Sequence, residues 1–80
     1  MPDTKLEPPV AVVIRDPQVL GGRPTFRGTR VQVETLFENL AEGYSLDEIL
    51  ESFPTLDRAD VKRAILQAGE FVSKAAPELR

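Results

Sequence analysis

Cysteine and histidine are both absent from this sequence of 80 residues. Without them the chain lacks the usual general base and the thiol nucleophile. It can form neither a disulfide nor the common zinc sites. A cysteine-free chain suits a reducing compartment. Long apolar runs are missing as well, since nothing approaches the ~18 consecutive apolar residues of a membrane span. The opening Met1-Pro2-Asp3-Thr4-Lys5 is not followed by the apolar core and small-residue cleavage site of a secretion signal. A cytoplasmic protein with no membrane attachment and no cofactor is expected.

The length allows one domain, given that typical domains hold roughly 100–150 residues. A chain this short has a thin core, and small domains are often stabilised by disulfides, metals or a partner chain. With the first two removed in their usual forms, self-association, most simply a homodimer, is expected. The formal net charge of −3 conceals an asymmetry. Residues 1–32 carry Lys5, Arg15, Arg23, Arg27 and Arg30 against Asp3, Glu7 and Asp16, a balance of +2; the remainder carries five basic and ten acidic groups, a balance of −5. An acidic total opposes strong non-specific nucleic-acid affinity, which needs clustered lysine and arginine. A dimer that gathers its arginines on one face escapes that objection.

Residues 1–9, punctuated by Pro2, Pro8 and Pro9, are expected to form a flexible arm. Val10 to Ile14 is a β-branched run between Pro9 and Asp16-Pro17 and predicts a short strand. Gly21-Gly22-Arg23-Pro24 predicts a turn, Thr25-Phe26-Arg27 a second strand pairing with the first, and Gly28-Thr29 another turn. Val33, Leu36, Phe37 and Leu40 then share one face of a first helix, closed by Gly43 as a left-handed cap. Ser45-Leu46-Asp47-Glu48 fits a capping box that opens a second helix with Leu46, Ile49, Leu50 and Phe53 inward, and Pro54 stops it. Asp57 is positioned to cap a third helix whose inner stripe is Val61, Ala64, Ile65, Ala68 and Val72. Pro77 ends it, leaving residues 77–80 as a tail. The expected architecture is mainly α: a short β hairpin, then a three-helix bundle, within a single domain over residues 10–76. The turn of about four residues between helices two and three suits a helix-turn-helix pair.

The carboxylates have ordinary explanations. Glu34, Glu38 and Glu42 fall at i+4 spacing on the outer face of the first helix. Asp47, Glu48, Asp57 and Asp60 occupy first helical turns, where negative charge offsets the dipole. No metal site and no catalytic group is expected. Gly21-Gly22 has neither the spacing of a phosphate loop nor that of a dinucleotide fingerprint, and a tight turn accounts for it. Arg23 and Arg27 have two readings: a guanidinium fork for phosphates or a partner's carboxylates, or internal bonds to loop carbonyls. Arg30, at the entry to the core, is expected to be structural, pairing with Glu34 or with free carbonyls.

Asp16-Pro17, Gly21-Gly22-Arg23-Pro24, Gly28-Thr29-Arg30, Val33, Gly43-Tyr44-Ser45, Glu48-Ile49-Leu50, Pro54 and Val61 together resemble the signature of a widespread prokaryotic domain-of-unknown-function family. The likeness runs from Ile14 to about Val72, and its Gly-Thr-Arg segment is specific. In that signature Gly22, Pro24, Gly28, Thr29 and Arg30 are motif positions. Asp57 departs from it, since Thr or Ser is the commoner cap there; either residue caps a helix. The resemblance implies a homeodomain-like helix-turn-helix domain, and for many members an antitoxin of VapB type encoded beside a PIN-like ribonuclease toxin.

The expected function is accordingly that of a non-enzymatic antitoxin, which binds promoter DNA as a dimer and neutralises a PIN-like toxin protein. The candidate DNA contacts are Arg58, Lys62 and Arg63 at the start of the third helix, together with Arg27. Asp57 and Asp60 beside them repel phosphate. The candidate partner contacts are Arg23, Arg27, Leu66, Phe71 and Arg80, the last as a guanidinium on the tail that can enter a carboxylate-lined nuclease site. The alternative is a protein-interaction module that uses the same helices without touching DNA.

Overall fold

The computed structural model describes residues 11–79. The expected arm over residues 1–9, Val10 at the head of the expected strand, and Arg80 lie outside the described residues. Two short strands, β1 (Val13–Arg15) and β2 (Pro24–Phe26), pair antiparallel with Val13 opposite Phe26, Ile14 opposite Thr25 and Arg15 opposite Pro24. Three helices follow: α1 (Val33–Ala41), α2 (Leu46–Ser52) and α3 (Arg58–Ala75). The mainly helical fold behind an N-terminal hairpin is the one the sequence patterning predicts.

The hairpin is held by turns the sequence signalled only in part. Between the strands a single 3-10 turn spans Leu20–Gly22, and its three residues all have positive φ (51°, 66° and 88°). Gly21 and Gly22 adopt that region at little cost, but Leu20 is an L-residue with a Cβ that disfavours it. The expected glycine turn therefore begins one residue early, on a strained leucine. At the other end, β2 stops at Phe26 rather than Arg27, because the chain turns at once: Thr29 N–H donates to Phe26 O at 3.0 Å, with Gly28 at φ 80°. This is the position of a type II turn that needs positive φ. The chain then returns along β2, with Phe26 N–H donating to Val31 O at 2.9 Å and Thr25 bridged to Gln32. Thr25 is thus flanked on both sides by backbone and is only 2% exposed.

Each helix carries its own stop or start signal. Gly43 N–H donates to Leu40 O and Tyr44 N–H to Asn39 O, with Gly43 at φ 101°. This is the Schellman arrangement, and it closes α1 where the glycine was expected to. Ser45 and Glu48 form the reciprocal capping box of α2, at 3.1 Å and 2.8 Å. The Asp57 carboxylate accepts from Asp60 N–H at 3.1 Å and caps α3.

The core is built from β2, the three helices and the segments beside them: Val12, Phe26, Leu36, Ile49, Leu56, Val61 and Ala64 are buried. Val33, Phe37, Leu40, Leu46, Leu50, Phe53 and Ile65 pack half-buried around them. Glu34, Glu38 and Glu42 face solvent. The expected inner stripe of α3 needs one correction. Val61 and Ala64 are buried, Ile65 and Ala68 half-buried, but Val72 is 65% exposed. Eighteen residues make a helix of about 27 Å, and the core beneath it ends near Ile65.

Candidate functional site

The best candidate surface is the solvent face of α3, built outward from its anchored stripe. With Val61 and Ala64 fixed inward, helical periodicity turns Ala59, Lys62, Arg63, Leu66, Gln67 and Glu70 to the opposite side. These six residues line an open groove of about 530 Å³. Lys62 and Arg63, two of the expected DNA contacts, are therefore side by side and exposed. They sit with an amide, an apolar Leu66 that is 72% exposed, and one carboxylate.

Arg58 is committed elsewhere. Its Nη2 donates to Asp47 Oδ1 at 2.5 Å, tying the first turn of α3 to the first turn of α2. The sequence placed Asp47 at a helix N-terminus but gave no signal of this bond, because the partners lie eleven residues apart across a turn.

Arg27, the fourth expected DNA contact, lies in the turn that follows β2. Its Nη1 donates to Ala11 O at 2.6 Å, so the guanidinium pins the strand that enters the hairpin. The internal role expected of Arg30 thus falls to Arg27. Arg30 is exposed, and among the described residues its side chain makes no ion pair and no hydrogen bond. The reason is geometric: the turn carries Thr29 inward and Arg30 outward. Thr29 Oγ1 donates to Phe26 O at 2.9 Å and accepts from Val31 N–H at 3.0 Å, which stitches the turn shut. Arg30 instead lines a smaller cleft of about 340 Å³ with Asp16, Thr25 and Thr55. Arg23 is exposed. Gly22 and Pro24 bound the first turn, with Pro24 opening β2 at a strand end where its missing N–H is tolerated. Arg80 lies outside the described residues.

Leu66 and Phe71, paired in the sequence as one partner surface, occupy different faces. Five residues of helix separate them by roughly 140° about the axis. Leu66 belongs to the outer groove, whereas Phe71, 73% exposed, continues the inner stripe beyond the core. Among the described residues no group of three or more His, Cys, Asp or Glu side chains is placed to hold a metal ion, and no helix is long and apolar enough to cross a membrane.

The hairpin turns, the capped helices and the first half of α3 coincide with one shared pattern. Residues 13–67 match the family described as "Protein of unknown function (DUF433)". The chain belongs to the DUF433 family. Over 57 residues it is 39% identical to the "Uncharacterized protein y4eO" of Sinorhizobium fredii (strain NBRC 101917 / NGR234), a match covering 71% of this chain and 26% of that protein. The chain therefore spans about a quarter of the length of that relative. No solved structure matches the chain. The DUF433 match ends at Gln67, in the middle of α3, so the exposed outer groove falls almost wholly inside it while Phe71 and Val72 fall beyond it.

Proposed function

We propose that this DUF433 domain is a non-enzymatic binding module, the antitoxin of a toxin–antitoxin pair, which contacts promoter DNA through α3 and neutralises a PIN-like ribonuclease. The observation that carries the reading is the outer face of α3: a rigidly seated helix presents Lys62, Arg63 and Gln67 together, following α2 after a five-residue connection. In a helix-turn-helix the second helix of the pair enters the major groove with its N-terminal half. Arginine and lysine there read guanine edges and glutamine reads adenine. The family resemblance supplies the toxin; Arg23, exposed on the hairpin, is the described guanidinium that fits a carboxylate-lined nuclease site.

The experiment is titration of the protein with its own upstream DNA at several salt concentrations. Binding that weakens steeply with salt, and whose slope falls by roughly one unit per lost phosphate contact in Lys62→Ala and Arg63→Ala, supports the reading. Absence of binding at low salt favours the second reading, a protein-interaction module. That reading draws on Glu70 in the groove and on the engagement of Arg58 with Asp47, which reduce the free positive charge of α3. A nuclease assay with a PIN-like ribonuclease, with and without Arg23→Ala, tests the toxin half on its own.

A further inference from the structure

Past Ala68, α3 carries an apolar seam that is exposed among the described residues. Val61, Ala64, Ala68, Phe71 and Ala75 recur at alternating steps of three and four residues, the spacing of a helix-pairing seam, with Ile65 and Val72 alongside. The first two are buried in the domain's own core, but Phe71 is 73% and Val72 65% exposed. The only charged residues between Ala64 and Ala76 are Glu70 and Lys74. At roughly 100° per residue both fall more than about 90° from the midline of the seam. A solvated helix end needs no such uncharged stripe.

We propose that this distal half of α3 is the interface of a homodimer, in which two copies of the chain pair antiparallel through Ala68, Phe71, Val72 and Ala75. The shape of the seam fits a copy of itself. Phe71 is a ridge with an alanine hollow one turn to either side, at Ala68 and Ala75; pairing that sets Ala68 of one copy opposite Ala75 of the other brings the two Phe71 rings side by side at the two-fold axis, between those hollows. Such a patch is self-complementary, as a two-fold interface requires. Antiparallel pairing also keeps the two folded bodies apart, since each body sits at the N-terminal end of its own α3. A parallel pair brings both bodies to the same end. The size is consistent as well. An aromatic side chain offers about 150–250 Å² and Val72, Ala75 and Ala68 add less, so the seam provides on the order of 400 Å² per copy, the size of a weak interface. A weak dimer that forms with rising concentration is expected. It does not rest on the antitoxin reading: the seam faces away from Lys62 and Arg63 and lies beyond the DUF433 match.

The test uses the full chain in sedimentation equilibrium across the micromolar range. Wild type should move from the chain mass of 8.9 kDa to twice that value with rising concentration. Phe71→Glu and Val72→Lys should remain monomeric with unchanged far-ultraviolet circular dichroism, because both positions are exposed in the single chain. The absence of native cysteine makes orientation testable. An equimolar mixture of Ala68→Cys and Ala75→Cys chains should form the mixed disulfide in preference to either self-disulfide. A wild type that stays monomeric at high micromolar concentration, or variants that dimerise as wild type does, would overturn the interface. Self-disulfides in place of the mixed one would overturn the antiparallel arrangement. Titration with DNA reads Lys62 and Arg63 separately, so a failure there leaves this result standing.

Discussion

The guanidinium of Arg58 bonds the carboxylate of Asp47 across the turn between α2 and α3, joining the first turns of the two helices. Both side chains are more than half exposed, at 56% and 80%, so water screens the pair and its contribution to stability is about 1 kcal/mol or less. Arg58→Ala should therefore lower the melting temperature only slightly. It should also weaken DNA binding less than Lys62→Ala or Arg63→Ala, whose charges make no ion pair among the described residues. A loss of affinity for Arg58→Ala as large as that for Lys62→Ala would show that Arg58 leaves Asp47 to meet phosphate.

Two glycines should respond in opposite directions to the same substitution. Gly28 has φ 80° and open space around it, so Gly28→Ala introduces backbone strain without a clash and should cost on the order of 1 kcal/mol. Gly69 lies within α3 with nothing within 4 Å of an added Cβ. Gly69→Ala should stabilise by up to about 1 kcal/mol through helix propensity. Thermal melts of the two variants, run side by side, check both signs.

Caps supply a third expectation. Ser45→Ala removes the hydroxyl that accepts from Glu48 N–H while leaving the backbone N–H of residue 45 bonded to the Glu48 carboxylate, and Asp57→Ala frees Asp60 N–H at the head of α3. Each should cost about 1 kcal/mol, within the 0.5–2 kcal/mol range of N-cap losses. Denaturant midpoints measure it, with Ser45→Asp as a control that restores much of the loss.

Thr25 gives a fourth. It is almost fully buried, and its hydroxyl makes no hydrogen bond among the described residues. Thr25→Val keeps the shape and removes the polar atom, and should be neutral or stabilise by on the order of 1 kcal/mol. A clear loss of stability would reveal a partner for that hydroxyl.

The sequence was informative wherever a structural decision is made locally. Ser45 and Glu48, Asp57, Gly43 and Gly28 each act on backbone groups within a few residues, and each took its expected place. The hairpin and three helices followed from these signals together with apolar periodicity. What escaped the sequence depends on distance along the chain. Arg27 and Ala11 are sixteen residues apart, and no pattern distinguishes Arg27 from Arg30 as the residue that bonds inward. Periodicity also cannot report where a core ends. Val61 and Val72 occupy equivalent places on the stripe, but one is buried and the other is not. The same limit applies to the candidate site: Lys62 and Arg63 were legible as exposed cations, whereas the withdrawal of Arg58 by Asp47 was not.

An eighteen-residue helix seated at one end only is not equally protected along its length. Backbone amides near Val61 lie against the core and open only when the whole domain unfolds, whereas those beyond Ala68 can fray one turn at a time. In a single chain, hydrogen–deuterium exchange should therefore accelerate progressively from the middle of α3 toward Ala75, drawing a gradient that a second helix laid along Phe71 would flatten.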